Sequence, residues 1–177
     1  MPRGVHDSVI ARGVWAMVLA VGVVEAARGA SVWEGLAGRW QGTGEVSGMD
    51  ATLALTFAPA LEGKAHRLSF SNRIRAADGR EWPFAAEAVY LCHGAPPCRG
   101  HWYDTRGMVL PLVATPQADA LAVEWGDAAT ERGRTTYRLE ADTLHITDEV
   151  LGKDGQWKVF GRSRLQRSGE ITDDGRR

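Results

Sequence analysis

Four side chains that can bind a metal ion or form a disulfide lie within ten positions of the chain: Cys92, His93, Cys98 and His101. Their spacing differs from the short paired spacings, such as C-x2-C, that zinc sites use. Neighbouring residues on a strand point to opposite faces, which separates Cys92 from His93. Because the two cysteines flank a Pro-Pro turn, we expect a disulfide formed in an oxidising compartment, with free thiols or a metal site as alternatives.

A second group of side chains has the chemistry of general acids and bases. His101 and Tyr103 alternate on one segment, with Asp104 beside them and Glu87 on the segment before. Such groups transfer protons when a fold holds them against a substrate. The sequence contains no G-x-S-x-G, H-E-x-x-H or P-loop motif to define such a site. We therefore expect a protein that is not an enzyme, with acid–base catalysis by His101 and Tyr103 as the alternative.

Polar residues also interrupt strand faces that are otherwise apolar. Asn72, Asp148 and Ser163 share the period-two register of the apolar residues around them. A polar group inside a β-structure needs a partner, which can be a protein group, water or a ligand. With three aromatic side chains, they form the expected ligand contacts: Phe70, Asn72, Tyr103, Tyr137, Asp148 and Ser163.

Alternating apolar and polar residues predict the strands that must position these groups. The cleanest alternation runs from Arg67 to Arg75, and turn signals such as Asp78-Gly79 separate about ten segments of this kind. The connections are too short for parallel crossovers, so the strands are predicted to be antiparallel. The predicted fold is all-β, an up-and-down barrel of about ten strands, because closure removes the exposed edges of a flat sheet. A two-sheet sandwich is the competing architecture.

The two ends of the chain carry different signals. Residues 1–30 run from basic to apolar to small, the order of a signal peptide, and an uncleaved anchor or a buried helix is the alternative. The apolar stretch from Val14 to Val24 is shorter than the roughly 20 residues of a membrane-spanning helix. We expect a periplasmic or secreted protein that does not span a membrane. Its barrel domain would cover 31–167, and 168–177 would be a disordered tail.

Composition excludes two broad classes of protein. With 44% apolar residues among 177, the chain can form one domain with a substantial core, which argues against wholesale disorder. The formal net charge of −1 lacks the basic excess of a nucleic-acid-binding domain. No nucleic-acid partner is therefore expected.

One segment near the start of the predicted domain resembles a known family. Ser31–Ala37 predicts a single helical turn, with Ser31 as N-cap and Glu34 completing a capping box. The following Gly38–Gly44, with the sequence GRWQGTG, resembles the G-x-W opening of the lipocalin-like (calycin) barrels. The form G-x-W-x-G-x-G is similar to bacterial lipocalin-like domains of the DUF1579 type and to nitrobindin-like haem-binding barrels. His101–Gly107 and Asp154–Trp157 also resemble the first of these groups.

The resemblance implies structural roles for four residues. On the inward face of the first strand, Trp40 would plug one end of the barrel, and in calycins this tryptophan is covered by an arginine of the last strand. Gly38 and Trp40 match the motif here, and Arg164 is our choice among three arginines of the last strand. Gly42 has no side chain, which lets the strand bend or a neighbouring strand approach.

The resemblance also implies a function. Barrels of this size often enclose one small ligand, so we expect an exported barrel that binds a small apolar or amphipathic molecule and needs no cofactor. A haem- or metal-binding barrel is the first alternative. In nitrobindin-like barrels the haem histidine comes from the C-terminal strands, but Trp157–Arg167 contains no histidine. A closed barrel that only mediates protein contacts is the second alternative.

Overall fold

The computed structural model describes residues 31–92 and 95–169. One short helix is followed by ten strands: α1 Val32–Leu36, β1 Gly38–Val46, β2 Met49–Ala60, β3 Ala65–Arg75, β4 Glu81–Leu91, β5 Cys98–Asp104, β6 Val109–Pro116, β7 Ala120–Trp125, β8 Gly133–Glu140, β9 Thr143–Leu151 and β10 Trp157–Gly169. The signal peptide predicted for 1–30 and the tail predicted beyond Gly169 lie outside these residues. Ser168 and Gly169, predicted as part of the tail, belong to β10.

The ten strands form one closed antiparallel barrel. Each strand pairs with its neighbour in sequence, and β1 pairs with β10 to close the sheet. This confirms the predicted all-β up-and-down barrel with a short N-terminal helix and excludes the sandwich. Closure pairs both edges of each of these ten strands, which explains how so many short meander strands form a single sheet.

The up-and-down order gives the barrel two chemically different ends. Loops that follow odd-numbered strands, such as 105–108 and 126–132, gather at what we call the open end. Loops that follow even-numbered strands gather with α1 at what we call the closed end. Within the described part of the chain, no helix has the length and apolar character needed to cross a membrane.

The barrel interior is built by strict alternation along the strands. On β2, Leu53, Leu55 and Phe57 are at most 5% exposed, while Ala54 and Thr56 between them face outward. On β3, Leu68 is fully buried and lies in register with Phe57. Burial of this apolar face drives closure of the sheet around the interior.

Helix α1 is held by the predicted capping box. The Ser31 hydroxyl accepts a hydrogen bond from the Glu34 backbone N–H at 3.4 Å, and the Glu34 carboxylate accepts one from the Ser31 N–H at 2.8 Å. Two donors at the helix start are thus satisfied, which stabilises a helix of only five residues. Its apolar side chains Trp33 and Leu36 are buried against the closed end.

Trp40 plugs the closed end, but its covering arginine is Arg167. The Trp40 side chain is fully buried and its indole Nε1 donates to the Leu36 carbonyl at 2.8 Å. The Arg167 guanidinium lies 4.3 Å from the ring centroid and donates to the carbonyls of Gly35 and Ala37 at 2.7 and 2.6 Å. Our choice of Arg164 is therefore corrected: that side chain is exposed, because the even-numbered residues of β10 after Gly161 face outward.

Two glycines of β1 allow this close packing. A Cβ on Gly38, whose φ is +130°, would lie 2.6 Å from Arg167 Nη1. A Cβ on Gly42 would overlap the Arg164 carbonyl oxygen on β10. Side chains at these positions would separate β1 from β10 and displace the arginine from the plug.

A disulfide joins Cys92 and Cys98 at the closed end. The two sulfur atoms are 2.03 Å apart, and Cys98 is only 3% exposed. Because both sulfur atoms form this disulfide, neither cysteine provides a thiolate ligand for a metal. His93 lies outside the described residues, and His101 is exposed on the outer face of β5. Across 31–92 and 95–169, no group of three or more potential metal ligands comes together.

Candidate functional site

The barrel encloses a cavity of about 430 Å³ toward its open end. This volume lies in the range of pockets that hold small molecules. The apolar wall draws on all ten strands: Val46, Leu53, Phe70, Ile74, Phe84, Tyr90, Trp102, Leu110, Leu112, Val123, Trp125, Tyr137, Ile146, Val150 and Phe160. The interior is therefore not completely filled by the tryptophans and the other large side chains.

Aromatic rings form much of this wall. Phe70, Phe84 and Trp102, from three successive strands, have ring centroids 5.8 to 6.3 Å apart. Trp125 and Phe160 meet edge to face at 6.4 Å. These rings give a ligand broad apolar surfaces and the electron-rich faces that attract cations.

A carboxylate that is partly buried breaks the apolar wall. Asp148, on β9, accepts a hydrogen bond from the Thr135 hydroxyl at 2.6 Å through its Oδ1 atom. Thr135 in turn accepts one from the Trp125 indole Nε1 at 3.2 Å. Burial raises the pKa of Asp148 to about 6, although the hydrogen bond from Thr135 acts in the opposite direction. Among the described residues, no arginine, lysine or histidine pairs with this carboxylate.

Further polar atoms face the same cavity without a protein partner. Asn72 is 9% exposed, and its side-chain oxygen has no hydrogen-bond partner in the described structure. The phenols of Tyr90 and Tyr137 also line the cavity. Burial raises the pKa of both tyrosines well above its ordinary value, and the charge of Asp148 adds to this effect at Tyr137. Both phenols therefore stay protonated and can donate or accept a hydrogen bond.

An ion pair spans the mouth at the open end. Arg106, in the turn after β5, lies 2.7 Å from Glu131 in the loop after β7 and 2.7 Å from Asp104. The Asp104 carboxylate is fully buried and also accepts from the Trp102 indole at 3.0 Å. Burial alone raises the pKa of Asp104, but hydrogen bonds from Arg106 and Trp102 outweigh it and hold the pKa below its ordinary value. The charge of Arg106 is thus shared by two carboxylates.

Four of the six predicted ligand contacts meet at this cavity, namely Phe70, Asn72, Tyr137 and Asp148. Apolar and polar residues alternate without interruption along their strands, so the sequence predicts which side chains face the interior.

The other two predicted contacts do not line the cavity. Tyr103 is 50% exposed on the outer face, because Trp102 takes the inward position on β5. Ser163 is 7% exposed but lies against β1, where a Cβ on Gly44 would overlap its hydroxyl oxygen. Both residues are therefore removed from the expected set of ligand contacts.

The predicted acid–base group does not form a site. His101 and Tyr103 lie on the outer face with ring centroids 6.4 Å apart, and Glu87 is exposed on the same face. Asp104 is bound to Arg106 and Trp102 at the mouth. No cleft gathers these four side chains.

The cavity does not offer the imidazole that a haem iron would require. His66 stacks on Trp33 at the closed end with ring centroids 4.2 Å apart. His145 lies 3.3 Å from Glu140 on the outer face, and His101 is also outside. These are the histidines of 31–92 and 95–169, and none lines the cavity. The residues present therefore do not fit a histidine-ligated haem.

Several residues of the site were not expected from the sequence. Trp125 follows Leu121 and Val123 in clean alternation, so its inward position was available from sequence. Tyr90 lies on a strand with two apolar faces, where alternation does not show which residues face the interior. Arg106 and Glu131 lie in separate loops and meet only because the barrel closes.

A second depression, of about 670 Å³, lies on the outer face of β1 to β4. Its lining includes the short outward side chains of Thr52, Ala54, Ser71 and Ala85 and the longer ones of Gln41 and Arg73. It is open to solvent and gathers no cluster of titratable groups, so we assign the candidate site to the interior.

Comparison with solved structures supports the fold. The crystal structure of Rv2717c from M. tuberculosis is similar with a TM-score of 0.54 and 14% identity, over 75% of this chain and 92% of that one. The complex of EF1p2_mFAP2b with DFHBI has a TM-score of 0.42 and 15% identity, over 75% and 94% of the two chains. A de novo designed fluorescence-activating β-barrel has a TM-score of 0.36 and 13% identity, over 75% and 93%. Comparisons with protein families and with curated proteins found no match. The likeness shows the β-barrel fold alone.

Proposed function

We propose that this protein binds one small apolar or amphipathic molecule inside its barrel and releases it unchanged. The observation that carries this proposal is the cavity of about 430 Å³, walled by aromatic and aliphatic side chains. Protein interiors are normally packed as densely as organic crystals, so an unfilled space of this size is a feature to be explained. A bound molecule explains it.

The size of the cavity indicates the size of the ligand. An apolar cavity of roughly 150 Å³ accommodates benzene. The space in this barrel is nearly three times larger, which suits a molecule of two or three rings or an equivalent aliphatic body. Polar atoms of Asn72 and Asp148 within an apolar wall suit a ligand that also carries a polar group.

The open end is the proposed entrance. The opposite end is sealed by α1, Trp40 and Arg167, since the Trp40 side chain is fully buried there and the Arg167 guanidinium lies over its ring. At the open end, the Arg106–Glu131 pair spans two loops and is half exposed to water. An ion pair of this kind contributes little to stability, so the two loops can separate at small energetic cost.

We also propose that the protein acts after export to an oxidising compartment. The order of basic, apolar and small residues over 1–30 supports export. The Cys92–Cys98 disulfide is independent support, because disulfides persist mainly in oxidising compartments.

A titration with the apolar fluorophore N-phenylnaphthylamine tests interior binding. We expect one site per chain and an enhanced fluorescence on binding. Val46→Trp places a large side chain at the cavity rim and should weaken binding at least about tenfold. Val109→Trp adds the same ring on the outer face, where Val109 is 54% exposed, and should leave binding unchanged.

Two results would contradict interior binding. One is equal affinity of the Val46→Trp variant and the wild type, and the other is loss of binding in Val109→Trp alone. Thermal unfolding of both variants serves as the control for folding.

A further inference from the structure

We infer that the ligand of this cavity carries a cationic hydrogen-bond donor, such as a protonated amine, that binds the free carboxylate oxygen of Asp148. This inference rests on the proposed interior site and names the chemical class of its ligand. It narrows the apolar or amphipathic class to molecules with an apolar body and one basic group.

The charges that line the cavity favour a cation. Asp148 and Glu131 are acidic, and Arg106 is the one basic residue among the described side chains of the lining. Arg106 is already bound by Asp104 and Glu131, each at 2.7 Å. Asp148 is thus left without a cationic partner in the described structure, and the wall carries a net negative charge.

The immediate neighbours of Asp148 leave one carboxylate oxygen free. From β8, Thr135 donates to Oδ1 at 2.6 Å. From β10, the paired residue is Gly161, which has no side chain, and a Cβ added there would lie 3.0 Å from Oδ2. Among the described residues, no side chain donates a hydrogen bond to Oδ2.

The other titratable groups that face Asp148 do not neutralise it. Tyr137 on β8 and Tyr90 on β4 line the same cavity as protonated phenols. The pair of Arg106 and Glu131 at the mouth has no net charge. The pKa of Asp148, raised to about 6 by burial, leaves this carboxylate mostly ionised at neutral pH. A cationic ligand therefore meets a charge that no described protein group compensates.

A second acceptor and the aromatic wall suit the same ligand. The side-chain oxygen of Asn72 is buried in the cavity wall without a donor among the described residues. Phe70, Phe84 and Trp102 present aromatic faces, which attract an ammonium group more strongly once it is removed from water. An anionic ligand such as a fatty acid would instead be repelled by the negative charge of Asp148. The cavity thus discriminates between amphipathic molecules by the sign of their charge.

Three probes with one apolar body test this inference on the full, disulfide-bonded chain. They are naphthylmethylamine, naphthylmethanol and naphthoic acid, which are cationic, neutral and anionic at pH 7.5. Calorimetric titration should show the amine binding at least about tenfold more tightly than the alcohol, and the acid more weakly than both.

Two matched variants assign the preference to one carboxylate. Asp148→Asn keeps the shape of the side chain, removes its charge and should lower the affinity for the amine at least about tenfold more than the affinity for the alcohol, which abolishes the preference. Asp50→Asn removes the same charge from the exposed outer face of β2 and should retain the preference.

A pH series on the wild type gives a test that needs no variant. Between pH 7.5 and 5 the amine stays protonated while Asp148 takes up a proton, so the preference for the amine should fall about tenfold. Equal affinity for amine and alcohol in the wild type, or a preference that survives Asp148→Asn, would overturn the inference while leaving the interior site in place. If none of the three probes binds, the interior site itself is overturned.

Discussion

Replacing Asp148 by asparagine should make the empty protein more stable at neutral pH. The wild type buries a carboxylate that has no cationic partner among the described residues, and its pKa is raised from 3.8 to about 6. This difference corresponds to about 3 kcal/mol of unfolding free energy when the group is ionised in both states. An amide of the same shape avoids that cost but receives a weaker hydrogen bond from Thr135. We therefore expect a net gain of about 1 to 2 kcal/mol at pH 7.5.

The gain in unfolding free energy should increase as the pH rises. The folded state holds the Asp148 proton up to about pH 6, whereas the unfolded chain releases it near pH 3.8. The contribution of Asp148 to the unfolding free energy of the wild type is therefore greatest below pH 4 and declines as the pH rises to 6. The variant lacks that decline. From pH 4 to pH 7.5 the stability of the variant relative to the wild type should rise by about 2.4 kcal/mol, so the variant should be the less stable of the two at pH 4 and the more stable above pH 6.

Urea unfolding followed by tryptophan fluorescence between pH 4 and 8 measures this difference. Asp50→Asn is the control, because its carboxylate is exposed on the outer face of β2 and should show no comparable rise with pH. A variant that is less stable than the wild type at pH 7.5 would refute the reasoning. So would a stability difference that does not change with pH.

Two further predictions concern the closed end. Arg167→Met should lower the unfolding free energy by about 3 kcal/mol, because it removes two hydrogen bonds and the cation–π contact with Trp40. The control Arg164→Met, on the outer face, should lower it by less than about 0.5 kcal/mol. Urea unfolding measures both, and equal losses would contradict the assignment. Replacing Cys92 and Cys98 together by serine should cost about 2 kcal/mol, because their disulfide closes a loop between residues six positions apart, and an unchanged unfolding midpoint would disprove this.

The strands and their inward faces were predictable where one face is apolar and the other polar. On β2 and β3 the alternation is uninterrupted, so Phe70 and Asn72 were placed correctly in the interior. The same rule placed Asp148 on β9. The period also favours Arg167 over Arg164, because Ser163 and Leu165 face inward, and our choice of Arg164 departed from it.

The rule fails where both faces of a strand carry large apolar or aromatic groups. On β5, Trp102 and Tyr103 are neighbours, and only the three-dimensional register shows that the tryptophan points inward. The outer face nearby also carries Val109, 54% exposed, so hydrophobicity does not identify the buried side.

The mouth of the cavity could not be predicted at all from local sequence. Arg106 and Glu131 lie in different loops, and their ion pair depends on how the whole barrel closes. The free volume of the interior has the same origin, because it is the space left after every inward side chain has been packed. Sequence periodicity gives the direction of each side chain but not the volume that remains.

The most direct test of interior binding is an indole N–H nuclear magnetic resonance spectrum recorded during titration with N-phenylnaphthylamine. Trp102 and Trp125 line the cavity, whereas Trp82 and Trp157 lie on the outside beneath Arg80 and Arg134. If the ligand binds inside the barrel, the signals of Trp102 and Trp125 should shift and saturate at one ligand per chain while the outer two stay in place. Shifts confined to Trp82 and Trp157, or no shift in any of the four, would contradict interior binding.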